Sequence, residues 1–296
     1  MVEADFLTWL RTLPLHPGAL ELADDAARVG ELVVTTDTLV EGVHFLSIDP
    51  AGDVAWKLVA TNLSDLAAKG ALPEGVLLNY PLGNAAWDRA FVSGLRDVLA
   101  SYACPLIGGD TVSLPAGAPR VLTVTAIGRD AAAPSRAGAR AGDALWVTGT
   151  IGDAGAGLAI AQGAVGPDAL LARYRRPRPR LAKGRALAPV VHAMMDVSDG
   201  VLIDAERMAT ASGLAVTIDL ATIPLSPAYR DWSGDRLAAA TAGDDYELLF
   251  ALPAETSPPI AATRIGTFAA GAGLALTDGG LPVPLPPSLG FRHAGR

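Results

Sequence analysis

The sequence predicts an α/β chain of two domains, and three observations lead there. Short acidic motifs sit where β-branched or apolar strands run into polar turns, the place where α/β folds keep their chemistry. Segments of strand character alternate with segments whose apolar residues recur every three to four positions. Residues 130–142, rich in Ala, Gly and Pro, then mark a boundary. With 296 residues there is enough chain for two cores, divided as 1–138 and 139–296.

Each element has a local reason. Residues 6–13 read as a short amphipathic helix closed by Pro14 and Pro17. Leu32 to Thr36 is a β-branched strand that delivers Asp37 at its end. In 53–69 a helix is expected, because Trp56, Val59, Ala60, Leu63 and Ala67 fall on one face and Gly70 supplies the stop. Asn62, Asp65 and Lys69 occupy another face, which on a core helix is ordinarily solvated. Val76 to Tyr80 reads as a strand and 85–101 as a helix. Pro105 to Ile107 leads into Gly108-Gly109-Asp110, and Val121 to Ile127 is a further strand. The second half restarts with the strand Ala144 to Thr148, a glycine-rich turn over Gly149 to Gly157 and an apolar helix. Helices follow at 181–194 and 200–211, with strands at 214–218 and 247–252. The proline-rich tail from 281 reads as an extended surface segment.

Composition narrows the function. Half of the residues are hydrophobic and 18% are charged, which argues against disorder. A net charge of -8 disfavours nucleic acid and anionic lipid as partners, since both reward a basic surface. The single Cys104 excludes an internal disulfide and a thiolate metal cluster, and points to a cytoplasmic protein. No apolar run reaches the roughly 18 residues that span a membrane. Acids at Glu3 and Asp5, without a basic segment, make a signal peptide an unexpected reading.

Five acidic motifs carry the chemistry: Asp24-Asp25, Thr35-Thr36-Asp37, Asn62-Leu63-Ser64-Asp65, Gly108-Gly109-Asp110-Thr111 and Asp196-Val197-Ser198-Asp199-Gly200. Two like charges ~4 Å apart repel by roughly 4 kcal/mol at an effective dielectric of about 20. Either these carboxylates do not converge, or cations hold them together. Hard cations such as Mg²⁺ take oxygen ligands and work beside substrate phosphates. Taken alone, each motif has a plainer reading: Gly-Gly-Asp as an ordinary turn, and Asp199 as the cap of the following helix. Asp196 and Ser198 would face one way from an extended segment. Gly149 to Gly157 fits neither the dinucleotide-binding nor the Walker spacing, so any ATP is held by acids, metal and arginine. The basic run Arg173 to Arg180, stiffened by Pro177 and Pro179, reads as a surface connector. Arg136 stands alone in a small-residue loop, within reach of a phosphate or of water. His44, beside the Asp37 loop, is the one histidine placed to matter.

Together, Thr35 to Phe45, Asn62 to Ala68, Ile107 to Thr111, Asp196 to Gly200 and Gly243-Asp244-Asp245-Tyr246-Glu247-Leu248 resemble the thiamine-monophosphate kinases, in order and over nearly the whole chain. That family belongs with aminoimidazole ribonucleotide synthetase and selenophosphate synthetase. The resemblance implies an N-terminal α/β domain that dimerises through its sheet, a C-terminal α+β domain and a site between them. It implies transfer of the ATP γ-phosphoryl group to thiamine monophosphate, assisted by several Mg²⁺ ions, in a homodimer. By motif position, Asp25, Thr35, Thr36, Asp37, Asp65, Asp110, Asp196 and Asp199 correspond to metal ligands. Gly109, Asp110, Arg136 and Ser198 correspond to ATP contacts. His44, Asp244 and Phe291 correspond to contacts with the acceptor, and the resemblance brings no general base. Leu22-Ala23 stands where the family has glycines, Asp244 where glutamate is common, and Phe291 where tyrosine or tryptophan is frequent. Selenophosphate synthetase fits less well, because no cysteine lies near the N-terminus. A metal- or nucleotide-binding regulator and a metal phosphohydrolase are the readings from other classes.

Overall fold

The structure is a computed structural model and describes residues 3–129 and 132–293. Its first half runs α1 (Glu3–Leu10), β1 (Ala27–Val29), β2 (Leu32–Val40), α2 (Ala51–Ala68), β3 (Leu72–Leu82), α3 (Ala85–Ser101), β4 (Leu106–Ser113) and β5 (Val121–Arg129). The five strands form one sheet in the order β1-β2-β5-β3-β4, antiparallel except for the β3–β4 pair. Side chains alternate across it. Val33, Leu39, Val76, Leu122 and Val124 point to one face and are buried beneath α2, whose apolar stripe of Leu58, Val59, Leu63 and Leu66 is wholly inaccessible.

The second half adds β6 (Asp143–Val147), α4 (Asp153–Ala161), α5 (Asp168–Arg175), α6 (Leu181–Leu187), β7 (Ala193–Asp196), α7 (Val201–Ala211), β8 (Leu214–Asp219), α8 (Pro227–Trp232), α9 (Arg236–Thr241), β9 (Leu248–Pro253), β10 (Thr263–Ala270), β11 (Gly273–Asp278) and β12 (Leu281–Val283). Here the sheet order is β12-β11-β8-β10-β6-β9-β7. The core of this half joins α7 to the sheet through Val201, Leu202, Met208, Val216, Ile218 and Phe268. A third cluster bridges the halves: Ala67 and Ala68 at the end of α2 pack with Leu187, Met194, Leu248 and Phe250. The Gly184 position on α6 comes so close to α2 that a Cβ there would stand 1.9 Å from the Ala67 carbonyl oxygen.

Several expectations are corrected. The first helix stops at Leu10 and gives way to turns before Pro14. The helix expected over 181–194 ends at Leu187, and 193–196 is a strand completely buried beside β9. Three apolar residues in a row, Ala193 to Met195, suit either state, and here sheet pairing decides. Gly108-Gly109-Asp110 is no turn, because it lies inside β4. Gly109 has φ 149°, and a Cβ would meet the Leu78 carbonyl oxygen at 1.9 Å, so glycine is required by strand packing. The basic run is only partly a connector. Arg173 and Arg175 lie in the last turn of α5, and Arg180 turns inward to a bidentate pair with the fully buried Glu247. The tail from 281 opens as strand β12 before it becomes irregular.

Candidate active site between the two domains

The first half of the site comes from β2 and α2. Thr35 and Asp37 share the face of β2 that carries Val33 and Leu39, so both look toward α2. Asp65 Oδ2 accepts a hydrogen bond from Thr35 Oγ1 at 2.5 Å, and the Asp37 backbone N–H donates to Asn62 Oδ1 at 3.1 Å. Thr36 has the opposite parity. Its hydroxyl donates to the Val124 carbonyl at 3.1 Å and accepts from Thr125 at 3.0 Å on the other face, which leaves only its main chain beside the cluster. The polar face of α2 is not solvated. Asn62 and Ser64 are fully buried and Lys69 is 2% exposed, all turned into the cleft.

Asp24 and Asp25 follow a loop in which Leu20, Glu21 and Leu22 adopt φ of 50°, 57° and 54°. Left-handed backbone costs a residue with a Cβ roughly 1–2 kcal/mol, so side chains must hold this loop in place. Lys69 Nζ pairs with Asp24 Oδ1, lies 3.0 Å from Asp25 Oδ2, and donates to the carbonyls of Pro134 and Met194 at 3.3 Å. Arg136 pairs with the other oxygen of Asp25, and its buried Nε makes no hydrogen bond.

The second half is the loop after β7. Asp196 ends the strand and is 3% exposed. Asp199 does not cap α7, contrary to the simplest expectation. Asp204, fully buried within the first turn of the helix, accepts the backbone N–H groups of Ser198, Asp199 and Gly200 at 3.1, 3.1 and 3.2 Å on one oxygen. Arg207 joins Asp204 (2.8 Å) to Asp199 (2.5 Å). Burial pushes the Asp204 carboxyl up to about 7, against the opposing pull of Arg207 and the loop amides. Gly243 packs on this loop so closely that a Cβ would stand 2.6 Å from the Ser198 carbonyl oxygen. Asp244 N–H donates to that same oxygen at 2.7 Å, with Asp244 itself at φ 69°.

The carboxylates of the two halves share one field. Desolvation pushes Asp37 up to about 6, with the Asp25 and Asp199 charges adding to it. Asp65 is raised further by burial and by Asp37, Asp196 and Asp25, and Asp196 by burial and chiefly Asp25. Burial acts on Asp25 in the same direction, yet Lys69 and Arg136 outweigh it and hold this carboxyl below its ordinary value. The expected residues Asp25, Thr35, Asp37, Asp65, Asp196 and Asp199 are thus brought together. Arg136 reaches them from 136, and Ser198 sits in the loop between Asp196 and Asp199.

Beside this cluster lies a second group. His44 Nδ1 accepts from Val40 N–H at 3.0 Å, and its ring stands 6.4 Å from Phe291 and 5.4 Å from His293. Burial and His293 depress the His44 pKa. Phe291 is fastened by its N–H to the Asp199 carbonyl at 2.9 Å. Asp244 accepts from Lys57 at 2.7 Å and from Tyr246 at 3.0 Å. Lys57, 2% exposed, also donates to the His44 carbonyl and lies 4.2 Å from the Tyr174 ring centre. Motif reading missed Lys57, Lys69 and Asp204. Their only sequence signal is a polar residue inside a helix otherwise built for the core.

Gly109 and Asp110 do not join the cluster within one chain. Asp37, Val124, Leu78 and Gly109 form a row across four strands. Three strand spacings of ~4.8 Å place Gly109 roughly 14 Å from Asp37. Both residues lie on the exposed edge strand.

Oxygen-only donors, an excess of carboxylate over paired cation and the orphaned Arg136 Nε suit a hard cation with a phosphate ligand. Among the described residues, no three acidic, histidine or cysteine side chains are drawn into ligand geometry around one point. Lys69 and Arg136 take up carboxylate oxygens of Asp24 and Asp25 instead.

Residues 23–129 match the AIR synthase related protein, N-terminal domain, and residues 140–278 match its C-terminal domain. Fold and site together define a two-domain protein of the AIR synthase class. Thiamine-monophosphate kinase of Caulobacter vibrioides is 39% identical over 305 residues, covering 94% of this chain and 86% of that protein. The enzyme of the same name from Escherichia coli K12 is 40% identical over 251 residues, 79% and 76% of the two chains. A solved structure, AaThiL complexed with AMPPCP and TMP, superposes with a TM-score of 0.88 at 30% identity, covering 99% of this chain and 97% of the other. The chain belongs to the thiamine-monophosphate kinase family.

Proposed function

We propose that this protein transfers the γ-phosphoryl group of ATP to thiamine monophosphate in one direct in-line step, forming thiamine diphosphate, the last step of that biosynthesis. The observation that carries the reading is the meeting of Asp25, Asp37 and Asp65 from the N-terminal domain with Asp196 and Asp199 from the C-terminal one. The match to a solved relative described with AMPPCP and TMP supports it. Thr35, Asp37, Asp65, Asp196 and Asp199, with the main chain of Thr36 and with Asp25, would hold Mg²⁺. The bound ions would neutralise donor and acceptor phosphates that otherwise repel each other.

The chain's own residues supply position. Arg136, with a free Nε, and Ser198 would take ATP phosphate oxygens. His44, Phe291 and Asp244 would seat the acceptor, with Lys57 and Tyr246 holding the Asp244 carboxylate in place. An acceptor phosphate oxygen is already a nucleophile at neutral pH, so no general base is required. With the chain divided at 138/139, the linker then carries Arg136 and Pro134 to the cleft.

Gly109 and Asp110 enter this reading through a homodimer. Leu77, Leu82, Ile107, Val112 and Val121 are exposed large apolar residues of the N-terminal sheet, and covering them with a second copy would bring that copy's β4 edge to this cleft. Light scattering on the purified protein tests the dimer. The activity is tested by incubating protein, MgATP and thiamine monophosphate and following thiamine diphosphate by chromatography. Mg²⁺-dependent product is the expected result. ADP and free phosphate without product would point to a phosphohydrolase. No helix among the described residues is long and apolar enough to cross a membrane.

A further inference from the structure

Lys69 is an unusual member of the cleft. Its side chain is 3% exposed, and oxygens from three segments surround it. Asp24 and Asp25 come from the acidic loop, the Pro134 carbonyl from the linker and the Met194 carbonyl from β7 of the other domain. That is a set of hard oxygen donors of the kind a divalent cation would draw together, but the centre is an ammonium carried by the chain. The ion pairs of the cleft go to Asp24 and Asp25 through Lys69 and Arg136, and to Asp199 through Arg207. Asp25 therefore faces a cation at each oxygen, Lys69 at Oδ2 and Arg136 at Oδ1.

We propose that Lys69 is a built-in cation of the site, a positioning residue that seats Asp24 and Asp25 and ties the acidic loop, the linker and β7 together where a bound divalent ion would otherwise be required. The inference rests on the metal-assisted reading above. It implies that this chain takes up one ion fewer than its carboxylate count suggests, and that the acidic loop is ordered before metal or nucleotide arrives. The left-handed run from Leu20 to Leu22 makes that support necessary, because the backbone of this loop does not favour its own conformation.

The test counts ions and needs no turnover. Mn²⁺ is titrated calorimetrically into wild type, K69M, K69R and K69M/D24N, and each protein is melted in chelator and again in Mn²⁺. Expected for K69M is about one additional Mn²⁺ at saturation, with a melting temperature lowered by several degrees in chelator and recovered on adding Mn²⁺. K69R keeps the wild-type count. K69M/D24N, in which Arg136 suffices for the remaining Asp25, regains stability in chelator without the extra ion, and it answers the question even where K69M fails to fold. Equal, non-zero counts in K69M and wild type overturn this inference alone. So does a loss of stability that neither Mn²⁺ nor D24N restores, since Lys69 would then act only through packing. A wild type that takes up no Mn²⁺ overturns the metal reading and this inference with it.

Discussion

Two acidic loops meet in the cleft and are held by opposite means. The Asp196–Asp199 loop is organised by its own main chain: three consecutive N–H groups converge on one oxygen of Asp204, which the helix α7 presents at a fixed height. The Asp24–Asp25 loop has no such frame. Three of its residues occupy left-handed backbone without being glycine, and two long side chains from elsewhere in the chain, Lys69 and Arg136, keep it in place by charge. A loop held by amides is as rigid as the helix beneath it. A loop held by ammonium and guanidinium groups depends on the balance of charge around it.

The comparison can be broken in several places. The largest effect is expected from Asp37→Asn, which removes a charge between the two loops without touching the packing of β2. Phosphoryl transfer should fall by about 10³-fold or more, equivalent to roughly 4 kcal/mol of barrier, while the melting temperature holds or rises because a buried like charge is gone. Retained activity in a steady-state assay would remove Asp37 from the metal set. Next comes Asp204→Ala, which orphans three N–H groups and Arg207. Denaturant titration should show a loss of about 3 kcal/mol, and added Mg²⁺ should not restore it, in contrast to the Lys69 variants. Recovery by Mg²⁺ would mean that both loops are held by charge.

His44→Ala should raise the Michaelis constant for the acceptor about tenfold, roughly 1.4 kcal/mol, and leave that for ATP nearly unchanged. A defect confined to ATP would move His44 to the donor side. Leu22→Gly relieves one left-handed residue and should stabilise the protein by about 1 kcal/mol; a loss in thermal melting would show that the Leu22 side chain matters more than its backbone. The smallest effect concerns pH. Burial and His293 depress the His44 pKa below the ordinary imidazole value of 6.5, so the unfolded chain binds the proton more readily. The resulting stability is complete above pH 6.5 and is lost as pH falls through the window beneath it. His44→Phe should flatten the melting temperature against pH there, and an unchanged slope would discount the ring.

Much of the fold was legible because its signals are local. The helix at 85–101 appears with the bounds that its periodicity suggests, and those at 53–69 and 200–211 within two residues. The strands before Asp37 and after the boundary region were equally plain. What failed was local information that long-range pairing overrides. Residues 193–194 could continue a helix but are claimed by β9, and Gly108-Gly109 looks like a turn but fills a crowded strand position against Leu78. No element was expected across 263–278, where Gly, Ala and Thr carry little strand signal, yet β10 and β11 form there against β6 and β8.

The same division runs through the site. Which oxygen-bearing residues exist, their order and the family they announce can be read from the chain alone, because each motif is a strand end or helix start encoded within a few residues. Long-range packing settles which of them share one field, that Asp110 stands across the sheet, and that Lys69, Asp204 and Lys57 are buried partners rather than solvated side chains. Burial and charge neutralisation are set by what packs opposite a residue, often more than 100 positions away in the chain, as Lys57 with Asp244 and Lys69 with Met194 show.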